Sequence, residues 1–377
     1  MKYLVLITTY LIYLISRILQ GIGKLIAPFI FRKQNFNKFS NLLTIQAGLK
    51  GLEGVFLEEL VASSIQDFGS ENVRTQAINR NKSYLTQLVV FLKLESPKYI
   101  ILDPRTLSSN GLVGIFQSII SSLFFSMKNI TPIVFLTDAS IIKWRIESVV
   151  WTSNNGKCVM LIPPSILGML FPHNRTYGPI FMPISIKTIN TTISSTRRPI
   201  QFPPKIGFSG TIYPERANYL KKLVDCSEKL NVKVNIKEKD TTFKNEDYWK
   251  FLNDHEIIFT TTIQTNIENN LVDNLGINQM VFRISEALAL GKILITTPAH
   301  GLDMFFKRNY DFIEISDKDS SSKECETAVK KAINLHEVRQ PQDNGSYLNL
   351  ITNKCFWRIL GISEVDICCQ SKCRCLN

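Results

Sequence analysis

Twice along this chain, short apolar runs of strand length alternate with amphipathic or apolar stretches of helix length, and that alternation limits the fold more than any other feature. The first series places strands at residues 41–46, 73–78, 98–102, 131–136 and 158–162. Between them lie helical patterns ending near 64 and covering 84–94, 112–127 and 141–151. The second series has strands at 205–209, 232–236, 255–261, 293–296 and 312–315. Its helices start at Pro214, where proline suits a first helical position, and cover 248–253, 281–290, 328–337 and 347–360. Strands that alternate with helices predict a parallel sheet covered on both faces. A length of 377 residues suits two domains better than one core. The predicted fold class is therefore α/β, with two facing Rossmann-like doubly wound domains.

Residues 171–204 interrupt the alternation with a Pro-, Thr- and Ser-rich stretch, read as a linker with strand-like pieces. The expected organisation is an apolar anchor and junction at 1–38, a first domain at 39–190 and a linker at 191–204. A second domain follows at 205–345, then a terminal helix and Cys-rich tail at 346–377.

The first segment is apolar from Tyr3 to Ile15 and again from Ile18 to Phe31, interrupted by Arg17 and Lys24 and closed by Arg32 and Lys33. Three readings fit. It is a short signal-anchor with Arg17 snorkelling, an interfacial or hairpin anchor, or a buried strand at 3–8 followed by a core helix. No small-residue cleavage pattern follows it. Membrane association is expected, and more basic residues lie after the apolar run than before it. That bias keeps the following domains cytoplasmic.

The net charge of +12 favours polyanions such as lipid headgroups or phosphorylated ligands. The lysines are scattered, without a basic run interleaved with aromatics, so nucleic acid is not an expected partner. Of eight cysteines, Cys158, Cys226, Cys325 and Cys355 stand singly, as small buried side chains do. Cys368, Cys369, Cys373 and Cys375 crowd the last ten residues without a repeated CxxC or a histidine. A reduced tail is expected there, with no metal site and no resident cofactor.

Chemistry concentrates in residues 281–303. Arg283 and Glu286 lie one turn apart on a predicted helix, hence on one face. A carboxylate there can accept two hydrogen bonds from a vicinal diol such as a ribose, and the arginine can hold phosphate oxygens. The plain alternative is a surface ion pair. Gly291 then stops the helix before the next strand, and Pro298, His300, Gly301 and Asp303 follow that strand.

With these residues in view, the second half resembles the GT-B glycosyltransferases, more narrowly the group 1 and spore-maturation-protein-like enzymes. The resemblance rests on Gly207-Phe208-Ser209-Gly210-Thr211-Ile212-Tyr213-Pro214-Glu215-Arg216, on Arg283-Ile284-Ser285-Glu286-Ala287-Leu288-Ala289-Leu290-Gly291, and on Pro298 with Gly301-Leu302-Asp303. These occur in the family's order and cover about residues 205–320. The resemblance implies transfer of a sugar from a nucleotide-sugar donor held by the second domain to a glycan or lipid-linked acceptor on the first, as in surface polysaccharide or glycolipid synthesis. It implies that Glu286 binds the donor ribose, that Arg283 meets the diphosphate, and that Gly301 and Asp303 border the sugar with His300 nearby. It also implies hexosyl transfer without a metal.

Arg216 falls in a first helical turn, where the helix dipole disfavours a cation unless an anion binds; pairing with Glu215 or another acid is the alternative. Asn278 stands where many group 1 enzymes carry a second glutamate, which puts retaining chemistry by direct analogy in doubt. Strand ends place Asp138 and Asp103 at the expected site. Asp138 is the preferred base for an acceptor hydroxyl, with helix capping as its alternative. Gly48, Gly51 and Gly54 allow backbone approach to phosphate or acceptor, or only a tight turn. Two other readings stay open: a sugar-nucleotide epimerase on the same fold, and a catalytically silent scaffold.

Overall fold

A computed structural model describes residues 2–30, 40–47, 55–79, 82–102, 111–136, 142–153, 155–161, 176–178, 180, 184–194, 203–212, 214–238, 245–262, 281–316, 321–338, 356–357 and 360–362. The described residues up to Ile180 form one compact unit, and the later ones form a second.

The first unit opens with a helix, α1 (Lys2–Ile30), and continues as β1 (Asn41–Ala47), α2 (Val55–Phe68), β2 (Val73–Ala77), α3 (Tyr84–Leu94) and β3 (Pro97–Leu102). After these come α4 (Gly111–Met127), β4 (Thr131–Leu136), α5 (Ile142–Thr152), β5 (Lys157–Met160) and the two-residue β6 (Thr176–Tyr177). All pairings are parallel and the sheet order is β2-β1-β3-β4-β5-β6. Strands β3 and β4 are near-continuous apolar runs because helices cover a parallel sheet on both faces. Phe125 of α4 and Trp151 of α5 meet at 5.4 Å within a core shared with Ile100, Leu102 and Val134.

The reading of residues 3–8 as a strand is overturned, since helix runs unbroken through them. Its inward stripe explains why. Thr9, Ser16, Gln20, Gly23 and Ala27 recur at spacings of three, four and seven, and all are buried. They rest on α4 and α5, so the helix docks by its small and polar face and not by its apolar one.

The second unit begins with α6 (Ile186–Ser194), which falls where a linker was expected. Its sequence, IKTINTTIS, is rich in β-branched residues of modest helix propensity. Tertiary contacts hold it: Ile189 is fully buried, and the Asn253 side-chain amide donates to the Thr192 carbonyl at 2.7 Å. Next come β7 (Ile206–Gly210), α7 (Pro214–Lys229), β8 (Val234–Glu238), α8 (Asn245–Asn253) and β9 (Ile257–Thr260). Then follow α9 (Phe282–Ala289), β10 (Ile293–Thr296), a 3-10 turn (Leu302–Met304), β11 (Phe312–Glu314) and α10 (Ser322–Val338). The parallel sheet has the order β11-β10-β9-β7-β8. Helix α10 starts six residues before the expected position 328, because the Ser321 hydroxyl accepts from the Glu324 backbone N–H at 3.2 Å as an N-cap, while the Glu324 carboxylate ties the first turn to the Ser316 amide and hydroxyl. Phe356, Trp357 and Leu360 are buried.

Chain order and sheet order part company between β7 and β9: one strand leads outward to β8, the other to β10. In a doubly wound sheet this is the switch point, where connections leave in opposite directions and a crevice opens at the carboxyl ends of the strands.

Candidate functional site at the carboxyl edge of the second sheet

Strand β7 ends in Gly210, whose φ of +148° is a conformation that L side chains rarely adopt. A Cβ there would stand 2.9 Å from Arg283 Nη1 and 3.5 Å from the Phe208 ring. The absent side chain therefore makes room for the Arg283 guanidinium over the end of the strand. Arg283 lies over the Phe208 ring at 6.0 Å and the Tyr248 ring at 5.8 Å.

Arg216, in the first turn of α7, lies over the same Phe208 ring at 5.7 Å. Its Nε donates to the Thr261 hydroxyl at 2.8 Å and its Nη1 to the Thr211 carbonyl at 2.5 Å. Thr261 directly follows β9, so Arg216 bridges the two strands that flank the switch point. Beside it the Thr262 backbone donates to the Thr297 hydroxyl at 2.7 Å, tying the end of β9 to the end of β10.

Both arginines thus occupy first helical turns, where backbone N–H groups already create positive potential. Placing cations there costs roughly what a favourable end charge gains, about 0.3–1 kcal/mol each. Contact with the Phe208 ring offsets part of the cost, at about 0.5–1 kcal/mol for each arginine. The same N-terminal potential favours an anion at this edge of the sheet.

Glu286 sits one turn beyond Arg283 on α9 and is partly exposed. The Tyr248 hydroxyl, from α8, joins the two: it donates to Glu286 Oε2 and accepts from Arg283 Nε at 3.4 Å. Burial, then the negative charge of Glu286, raises the Tyr248 pKa, with Arg283 acting in the opposite sense. The phenol therefore stays protonated and remains a donor throughout the neutral range. Tyr248 is only 6% exposed, so it holds the carboxylate from beneath the surface.

The remaining expected residues follow β10. His300 is half-buried in a turn, and Gly301 takes a left-handed φ of +84° to cap the 3-10 turn. Asp303 is exposed inside that turn. They share the carboxyl edge of the sheet with the arginines. Gly48, Gly51, Gly54, Asp103, Asp138, Asn278 and the four C-terminal cysteines lie outside the described residues. Cys158, Cys226 and Cys325 are buried thiols. Among the described residues no three His, Cys, Asp or Glu side chains converge as a metal centre requires.

Phe208, Tyr248 and Thr261 carry much of this arrangement, and only Phe208 lies inside one of the motifs that carry the family resemblance. Tyr248 comes from a different helix and Thr261 from a strand end, so neither has a fixed spacing from Arg283 in the chain.

No protein-family model matches the sequence, and a search of curated proteins finds no match. Solved structures do match. HepE of Anabaena in complex with UDP has a TM-score of 0.51 and 11% identity, over 85% of this chain and 99% of that one. HepE in complex with UDP-glucose has a TM-score of 0.50 and 10% identity, over 85% and 100%. HepE in complex with UDP and glucose matches at 0.50 and 10%, over 86% and 100%. At such identities the likeness establishes the fold: two parallel α/β units of the GT-B architecture.

Proposed function

We propose that this chain is a glycosyltransferase that moves a hexose from a nucleotide-sugar donor to a glycan or lipid-linked acceptor. The observation that carries the reading is the pair of arginines, Arg216 and Arg283, in two first helical turns over one aromatic ring at the switch point. A diphosphate is an anion that suits two guanidiniums about one aromatic ring and the first turns of two helices at one edge of a sheet. A ribose diol suits the Glu286 carboxylate one turn away. HepE, with the same fold, binds UDP and UDP-glucose; a uracil nucleotide is therefore the first donor to try here.

In transfer, the bond from the sugar's anomeric carbon to the diphosphate oxygen breaks while the acceptor oxygen attacks. Negative charge grows on the leaving diphosphate, and Arg216 and Arg283 stabilise it in place. Their geometry is fixed beforehand by Phe208, Thr261 and Tyr248, so little reorganisation accompanies the reaction. Glu286 orients the nucleoside through its ribose. The loop of His300, Gly301 and Asp303 borders the sugar. The acceptor's proton passes to Asp138, which follows β4 by two positions in sequence. We further propose that the enzyme works at a membrane, its domains on the cytoplasmic side. Helix α1 is long and apolar, and basic residues follow it.

The test is a panel of UDP-, GDP- and dTDP-sugars scored by thermal shift, followed by transfer of labelled sugar to a membrane lipid extract. A shift with one donor, lost in Glu286→Ala, together with labelled lipid or glycan, supports the reading. No shift with any donor refutes it. Interconversion of free donor without acceptor would mark an epimerase, and binding without transfer or slow hydrolysis would mark a silent scaffold.

A further inference from the structure

Helix α1 is built inside out. The stripe it turns toward the first unit is small and polar: Ser16 exchanges a hydrogen bond with the Ser153 hydroxyl at 3.0 Å, and the Gln20 amide donates to Ser153 Oγ at 2.7 Å and to the Ser122 hydroxyl. Gly23 lies so close to α4 that a Cβ would meet Leu123 Cδ1. The opposite face is large and apolar. Ile7, Leu11, Leu14, Ile18, Leu25 and Phe29 form one stripe, each at least 37% exposed and Leu25 at 74%.

A third stripe separates these two. Tyr10, Tyr13, Arg17 and Lys24 follow one another at spacings of three, four and seven, so they share one long edge of the helix. The Arg17 guanidinium donates to the Tyr13 hydroxyl at 3.1 Å along that edge. A helix that crosses a bilayer carries its basic and aromatic anchors at its two ends. Here they run along the axis, as they must when the water boundary itself runs along the axis.

We infer that α1 lies in the plane of an anionic lipid surface, its outer stripe among the acyl chains and its Tyr10–Lys24 edge at the headgroups, and so seats the first unit on the membrane without crossing it. The inference rests on the proposed membrane association and adds its geometry. One observation selects lipid as the occupant, and a second sets the orientation. The first 52 residues hold seven Lys or Arg and no Asp or Glu, which complements anionic headgroups. The docked stripe from Thr9 to Ala27 is about 27 Å long at 1.5 Å per residue, nearly the full hydrocarbon thickness. A spanning α1 would therefore drag α4 and α5, and the sheet beneath them, into the bilayer. It would also set Arg17 near the midplane, where a charge is strongly disfavoured.

The test uses the full chain with Trp introduced singly as Ile7→Trp, Ile18→Trp and Leu25→Trp, on vesicles of phosphatidylcholine and phosphatidylglycerol. Quenching by lipids brominated at different depths reads each position against the parent protein. The outer two positions are about 27 Å apart along the axis. In-plane seating gives the three indoles the same shallow depth. A deep Ile18→Trp flanked by shallow Ile7→Trp and Leu25→Trp means a span and overturns the inference while leaving membrane association intact. Failure of the parent to sediment with the vesicles, or burial of all three indoles in a dimer of the chain without lipid, overturns both. Arg17→Gln with Lys24→Gln, each worth about fivefold near an anionic surface, should lower vesicle partitioning on the order of thirtyfold at low salt. An unchanged partition coefficient would contradict the assigned role of the basic edge.

Discussion

Tyr248→Phe removes one oxygen atom from the site and separates a purely structural tyrosine from one that orders a binding site. The hydrogen bonds with Glu286 and Arg283 go with it. The one to the Glu286 carboxylate is charge-assisted, and such bonds contribute about 1.5–3 kcal/mol net. The one accepted from Arg283 is long, at 3.4 Å, and adds little. Glu286 is partly exposed, so water takes the vacated position and the loss falls at the lower end, about 1.5–2 kcal/mol. For a unit of this size that corresponds to about 3–8 °C in Tm. The rings of Tyr248 and Trp249 pack edge to face at 5.8 Å, and that contact survives in phenylalanine, so the variant folds. Glu286 and Arg283 lose their common tether, and UDP affinity should fall about three- to tenfold, roughly 0.6–1.4 kcal/mol. Thermal denaturation and calorimetric titration of UDP read the two effects separately. A lower Tm with unchanged UDP affinity would make Tyr248 a structural residue only, and the assigned link between Tyr248, Glu286 and the nucleotide would be wrong.

Three further outcomes follow from particular contacts. Gly210→Ala meets a φ of +148°, a strain of about 1–3 kcal/mol, and pushes against Arg283 Nη1; UDP binding should weaken tenfold or more, and equal affinity in the two proteins would refute the close approach. Above about pH 10 an unfolded tyrosine loses its proton while Tyr84 and Tyr248, raised chiefly by burial, keep theirs. The unfolded state then binds fewer protons, so the stability these two contribute is complete below pH 10 and declines above it by about 1.4 kcal/mol per pH unit for each. Tyr84→Phe should flatten that decline by one such increment in denaturant titrations between pH 10 and 11, and an identical slope would contradict it. Gln20→Ala removes an amide that serves two serines between α1 and the first unit; proteolysis should release α1 at least several times faster, whereas unchanged cleavage would show that the polar stripe does not hold the helix.

Much of this architecture is legible in the chain because parallel strands buried on both faces must be apolar throughout. Residues such as Tyr99–Leu102 and Ile293–Ile295 announce themselves as strands for that reason, and the helices between them follow from their length. Arg283 and Glu286 are legible as a pair because helical periodicity fixes their common face. What sequence does not disclose is contact made across distant segments. The helix Ile186–Ser194 has weak intrinsic propensity and forms because Asn253, some sixty residues on, holds its carbonyl. Tyr248 and Thr261 reach the arginines only once β7, β9 and α8 are packed. For α1, Arg17 reads as an interruption until the buried stripe of Ser16, Gln20 and Gly23 shows which way the helix turns.

The central claim is that two cations in two helical first turns hold a nucleoside diphosphate at the carboxyl edge of the second sheet. Calorimetric titration of UDP into the parent protein, Arg216→Gln, Arg283→Gln and the double variant tests it most directly. The account predicts a loss of about ten- to a hundredfold for each single variant, and a double loss smaller than the product, because both side chains grip one ligand. Undiminished UDP binding in the double variant, or none in the parent with any nucleoside diphosphate, would contradict it.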